Sequence, residues 1–240
     1  MYPLVDKAYR GITRYLPPRL AGRLDLMRPS YWASWGGPLN GQERRREIVR
    51  ELARAAPYDR VIETGTYRGT STEFFSAVFG VPLATVESSR RHFTYATRRL
   101  LVLRDVTVEL GDSRPFLRRL AAQPAAAGET VFIYLDAHWA DDLPLAEELQ
   151  IIASTWRRAV VMIDDFEVPG DSGYAFDGYG PGKQLVEGYL PADALRGWSL
   201  HYPVAPSGQE TGSKSGSCVL VSPALAGEVN FSTLRMARTF

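Results

Sequence analysis

The chain has 240 residues, of which 45% are hydrophobic and 23% charged, with a formal net charge of +1. That length suits one large α/β domain with a well-buried core, and the near-neutral balance supplies no global field for nucleic acid or an acidic polymer. No apolar run approaches the roughly 18–20 residues needed to cross a bilayer, no secretory signal is expected, and the single cysteine, Cys218, excludes an internal disulfide framework. The expected compartment is the cytoplasm.

Residues 1–40 are rich in Tyr, Arg, Pro and Trp and carry no sustained period. Six basic residues (Lys7, Arg10, Arg14, Arg19, Arg23, Arg28) face two acidic ones (Asp6, Asp25) within the first thirty. Their lack of amphipathic spacing favours an ordered cap or an oligomer arm, with a homodimer as the expected partner, over a membrane-binding segment.

The main domain, 41–240, opens with GQERRREIVRELARAA. Its apolar residues Ile48, Val49, Leu52 and Ala53 give an amphipathic helix. Strands are predicted at 60–64, 83–87, 105–110, 131–136 and 159–164, and helices near 70–79, 90–102, 113–121 and 144–154. Near-continuous apolar strands require a sheet covered on both faces. Their alternation with helices gives a Rossmann-like, doubly wound, mostly parallel sheet. After a loop at 166–183 dense in Gly, Pro, Asp and Tyr, the stretches 198–204 and 217–222 predict a terminal antiparallel pair.

The chemistry lies at the predicted strand ends. The first strand runs into Glu63-Thr64-Gly65-Thr66-Tyr67-Arg68-Gly69-Thr70-Ser71 and then a helix. Glycines there let backbone approach a ligand, and a helix N-terminus favours an anionic group. The spacing matches neither the dinucleotide fingerprint nor a phosphate loop. The second strand ends in Glu87, eighteen residues after Gly69, where a carboxylate can accept both ribose hydroxyls. After the third strand comes Gly111-Asp112-Ser113. These polar groups suit an adenine edge, and Asp112 equally suits a helix N-cap.

Asp136 ends the fourth strand, and Asp164 and Asp165 end the fifth. Carboxylates converging on one rim repel unless protonated, hydrogen-bonded or neutralised by a cation. Oxygen donors without cysteine suit Mg²⁺, whereas the plainer reading makes Asp164 or Asp165 a loop cap. His138 has three available roles, as general base, as metal ligand, or as a wall of the cofactor pocket beside Trp139, the last being favoured. His92 and His201 are expected to be structural, and Asp141 and Asp142 to begin the helix at Leu143.

Taken together, Glu63–Ser71, Glu87, Gly111–Ser113, Asp136-Ala-His-Trp139 and Asp164-Asp165 resemble class I S-adenosylmethionine-dependent O-methyltransferases. The likeness is to the metal-dependent branch of catechol O-methyltransferase and the macrocin and aminocoumarin sugar O-methyltransferases. It covers about 60–166. The separations of 28 and 29 residues from Asp136 to Asp164 and Asp165 match that branch's metal-ligand pattern. The resemblance implies that Glu63, Gly65, Tyr67, Gly69 and Ser71 line the methionine end of the cofactor. Glu87 would hold the ribose, Asp112 and Ser113 would lie near the adenine, and Asp136, His138 and Trp139 would border the pocket. Asp136, Asp164 and Asp165 would hold Mg²⁺. Where catechol-type enzymes carry a catalytic Lys after the His-Trp pair, this chain has Ala140, so Asp136 or His138 is left as base.

The expected activity is methylation of a hydroxyl on a small molecule or glycan, with 173–180 and Lys183 as a lid over the acceptor. Two other readings stand beside it. An iron-loaded, hydroxylase-like enzyme on this fold lacks the usual two-His, one-carboxylate set. A non-catalytic cofactor-binding module would keep the pocket without turnover.

Overall fold

The apolar runs form an eight-stranded sheet, which the computed structural model describes together with the rest of residues 9, 11, 13–138 and 142–240. The parallel strands are β1 (Arg60–Thr64), β2 (Leu83–Glu87), β3 (Val106–Leu110), β4 (Thr130–Leu135) and β5 (Arg158–Asp164). The antiparallel strands are β6 (Ser199–Pro203), β7 (Ser217–Val221) and β8 (Leu234–Thr239). Their spatial order is β3-β2-β1-β4-β5-β7-β6-β8. The direction of winding reverses between β1 and β4, and ligands of open α/β sheets bind outside the carboxyl ends at such a switch point.

Alternation along the central strands sends side chains into two cores. Ile133, Leu135, Val161 and Ile163 pack with Phe116, Leu117, Leu149 and Ile152 of α6 (Ser113–Ala121) and α7 (Leu145–Thr155). Phe132, Tyr134, Val160 and Met162 pack on the other face with residues of α3 (Glu43–Ala55) and α4 (Thr70–Phe79), among them Ile48, Val49, Leu52 and Phe75.

The expected terminal pair is present as β6 and β7, and β8 extends it. No strand was predicted over 234–239, because only Leu234 is buried there. Arg235 and Arg238 on that solvated edge leave no apolar alternation to read, although charge is a common way to blunt an edge strand. The helix predicted over 90–102 is α5 (Arg90–Arg99) followed by a 3₁₀ turn at Leu100–Val102. The helix predicted near 144–154 begins at Leu145, and Asp142, expected to begin it at Leu143, instead accepts hydrogen bonds from Arg114. Asp141, Trp139 and Ala140 lie outside the described residues, as do Asp6, Lys7 and Arg10 of the arm.

The described part of the arm contains α1 (Pro18–Asp25) and α2 (Pro29–Trp32). The first lies on α5 so closely that a Cβ on Gly22 would stand 2.4 Å from the Arg91 carbonyl oxygen. Asp25, with 2% of its side chain exposed, accepts from Nε and Nη2 of Arg91 at 2.5 and 2.8 Å. Beyond α2, Ser34 accepts a hydrogen bond from Arg68, whose guanidinium also lies over the Tyr31 ring. The arm thereby reaches the loop after β1.

Candidate active site

The loop after β1 is held by β2. The N–H groups of Gly65 and Thr66 both donate to the Val86 carbonyl, and that of Tyr67 donates to Glu87 Oε2 at 2.7 Å. The Ser89 N–H donates to Glu87 Oε1, also at 2.7 Å. Each carboxylate oxygen keeps a further lone pair for a ligand hydroxyl. Burial raises the Glu87 pKa against these two donors. Tyr67 sits at φ +47, a strained backbone for a residue with a side chain. Its ring meets His92 edge-on at 4.6 Å, and His92 Nδ1 lies 3.9 Å from Glu87 Oε1. His92, read as structural from the sequence, therefore borders this end of the site. Burial and then the Arg68 and Arg91 charges lower its pKa to about 4, so it is neutral near pH 7. His201 bonds Ser199 at 2.9 Å inside the β-sheet extension.

Glu63 is completely buried. Its Oε2 accepts from the hydroxyls of Thr72 and Thr85 at 2.5 and 2.7 Å, while Oε1 has no hydrogen-bond partner. Burial raises its pKa to about 7. A carboxyl ordinarily near 4.5 that rises to about 7 on folding takes up a proton between those values, so stability falls as pH rises through that window. Glu63→Gln is therefore expected to stabilise the ligand-free protein by up to about 3 kcal/mol at pH 8 and by little at pH 4.5. Thermal melts of both proteins across that range check this, and a gap independent of pH contradicts it.

Gly65 is required by the meeting of β1 and β4. It has φ +89, and an added Cβ would lie 2.1 Å from the Asp136 carbonyl oxygen. Gly69, at φ +74, precedes α4 in left-handed geometry, and part-buried Ser71 lies in the first turn of that helix. Asp112 caps α6: its Oδ1 accepts the Arg114 N–H at 2.8 Å, and Arg114 Nη2 donates to Oδ2 at 2.6 Å. Buried Ser113 faces Glu148 of α7, a carboxyl raised by burial whose Oε1 has no partner.

At the ends of β4 and β5, Asp136, His138 and Asp165 converge, with one ligand atom of each within 4.8 Å of the others. His138 Nε2 stands 3.5 Å from Asp136 Oδ1 and 3.6 Å from Asp165 Oδ2. Burial opposes the imidazolium, but the Asp165 carboxylate outweighs it and the His138 pKa is raised. Burial and the neighbouring Asp164 and Asp165 charges push Asp136 well above the usual carboxylate range.

Asp164 does not join this group. Its Oδ1 accepts from Arg45 and from the Asp165 N–H, and its Oδ2 accepts from the Tyr134 hydroxyl at 2.6 Å. Arg45 is buried with it and also donates to the Ser215 and Gly216 carbonyls. Burial works against the guanidinium charge, yet the nearby carboxylates, Asp164 foremost, raise its pKa above the ordinary arginine value. Sequence reading missed Arg45, Tyr134, Thr72 and Thr85. One signal for Arg45 existed: it shares the 45, 48, 49, 52 stripe with the apolar residues of α3.

The segment 173–180 is tied down on both sides. The Ala175 N–H donates to the Lys214 carbonyl at 2.9 Å, and the Asp177 N–H to that of Asp165 at 3.0 Å. Tyr174 is buried, and its hydroxyl donates to the Ala205 carbonyl. These bonds bring the Tyr179 ring within 5.6 Å of the His138 ring. Surface clefts of about 480 and 380 Å³ elsewhere on the molecule are lined by none of Glu63, Glu87, Asp136, His138 and Asp165. Converging polar groups rather than cleft size mark the site.

No family profile and no curated protein matches the sequence. Among solved structures, the fold is similar to an O-methyltransferase from Bacillus cereus in complex with S-adenosylhomocysteine. That likeness has 16% identity and a TM-score of 0.55 over 90% of this chain and 97% of that one. It is also similar to TomG, an O-methyltransferase from Streptomyces achromogenes involved in tomaymycin synthesis, in complex with S-adenosylmethionine. There the identity is 19% and the TM-score 0.53 over 74% and 79%. A putative caffeoyl-CoA O-methyltransferase from Staphylococcus aureus gives 14% and 0.52 over 74% and 82%. No helix among the described residues is long and apolar enough to cross a membrane. The chain has the Rossmann-like fold of the class I S-adenosylmethionine-dependent O-methyltransferases.

Proposed function

We propose that this chain is an S-adenosylmethionine-dependent O-methyltransferase acting on a hydroxyl of a small molecule or sugar, with a divalent cation at the acceptor. The observation that carries the proposal is one rim with two unlike halves. The Gly65–Ser71 loop clamped to Glu87 lies at the ends of β1 and β2, and the Asp136–His138–Asp165 group lies at the ends of β4 and β5. The residues fit both implied groups. Glu63 Oε1 is a buried, unpartnered acceptor suited to an ammonium group, and two carboxylates flank the unpartnered His138 Nε2.

S-adenosylmethionine, when bound, supplies an electrophilic methyl group on a sulfonium. Glu63, Gly65, Tyr67, Gly69 and Ser71 would hold its methionine end, Glu87 its ribose, and Ser113 its adenine side. Asp112 shapes that side as the cap of α6. Asp136 and Asp165 would hold the cation, which oxygen donors alone would make Mg²⁺. These residues would orient the acceptor oxygen, and orientation provides much of the rate of such a transfer. Asp136 or His138 accepts the hydroxyl proton, since Ala140 stands where related enzymes carry Lys. Tyr179 and the 173–180 segment keep water from this end of the site.

Methyl-labelled donor offered with a panel of catechols and vicinal sugar diols tests the reading. Label should reach an acceptor oxygen, with the rate falling about 100-fold or more in EDTA. Donor that binds without transfer to any hydroxyl would instead leave a binding module.

A further inference from the structure

We propose that the cation centre is an Asp136–His138–Asp165 site, in which imidazole replaces the carboxylate of Asp164 and the ion favoured is a first-row transition metal such as Mn²⁺ over Mg²⁺. The inference rests on the cation in the proposed function, and it changes both the ligand set and the metal.

Three donors already hold Asp164 in place. Arg45, the Asp165 N–H and the Tyr134 hydroxyl all donate to it, and its side chain is 1% exposed. Turning it toward Asp136 would strip the buried Arg45 of its counter-charge and leave the Tyr134 hydroxyl unpaired. The chain instead separates two consecutive carboxylates. Asp165 adopts φ +49, and its carboxylate lies 3.6 Å from His138 while that of Asp164 stays with Arg45. A non-glycine residue in left-handed geometry is strained, and such strain clusters at functional sites.

His138 provides the independent observation. It is 8% exposed, and its Nε2 has no hydrogen-bond partner although it faces both carboxylates. A buried ring nitrogen held only by contacts at 3.5 and 3.6 Å, longer than a normal hydrogen bond, leaves room for an ion between it and the two carboxylates. The three donor atoms already lie within 4.8 Å of one another. One imidazole nitrogen among oxygen donors shifts preference from Mg²⁺, which favours oxygen and water, toward transition ions. Three protein ligands leave positions open for acceptor oxygens or water.

The test is pulsed EPR of the full-length protein loaded with Mn²⁺, with S-adenosylhomocysteine binding measured on the same preparation. One Mn²⁺ per chain with the ¹⁴N modulation of a coordinated imidazole is expected. In His138→Ala that modulation disappears, Mn²⁺ affinity falls about tenfold or more, and Mg²⁺ affinity changes far less, so the Mn²⁺/Mg²⁺ preference narrows. Bound Mn²⁺ without ¹⁴N coupling in the wild-type protein, or no Mn²⁺ binding, overturns the inference. S-adenosylhomocysteine binding in such a sample would leave the cofactor reading intact. The ¹⁴N signal without S-adenosylhomocysteine binding would support the centre and remove the methyltransferase reading.

Discussion

Arg45→Met is expected to destabilise the protein by about 3–5 kcal/mol, because it leaves the Asp164 carboxylate buried without its cation. Few single substitutions reach that size, and this one also frees the Ser215 and Gly216 carbonyls that Arg45 now satisfies. Asp164→Asn added to Arg45→Met removes the orphaned charge and should recover at least half of the loss. Urea unfolding of the single and double variants measures both. A single-variant loss under about 1 kcal/mol would mean that the pair is not the buried anchor described here.

Gly65→Ala is the second large effect, expected at about 2–4 kcal/mol with loss of cofactor binding. Two causes add. The position has φ +89, and the new methyl would stand 2.1 Å from the Asp136 carbonyl oxygen, a backbone atom that cannot swing aside. Gly80→Ala separates them, since Gly80 has φ +64 and nothing within 4 Å of its added Cβ. That control should cost only about 1 kcal/mol for the left-handed backbone. Equal losses at the two positions would show that the close approach of β1 and β4 contributes nothing.

The parallel core was legible because β1, β2, β4 and β5 are buried on both faces, and this requires the apolar runs seen in the sequence. Edge strand β8 was not, since solvent on its outer side removes the need for a pattern. The rim was legible because carboxyl ends of strands collect polar groups: Glu63, Glu87, Asp136 and Asp165 could all be picked out by position. Which of two adjacent aspartates turns toward His138 could not. That depends on the left-handed backbone of Asp165 and on Arg45, which lies 119 residues from Asp164 in sequence. Arg45 itself was hidden by charge, because an arginine in GQERRREIVRELARAA reads as solvated unless its place on the Ile48–Val49–Leu52 stripe is given more weight than its type.

Calorimetric titration of S-adenosylhomocysteine into the wild-type protein and into Glu87→Ala tests whether the rim binds the cofactor. Saturable binding at one site per chain is expected, lost in Glu87→Ala although that variant remains folded by circular dichroism. Absence of binding to the wild-type protein, with and without divalent cation, would contradict the cofactor reading.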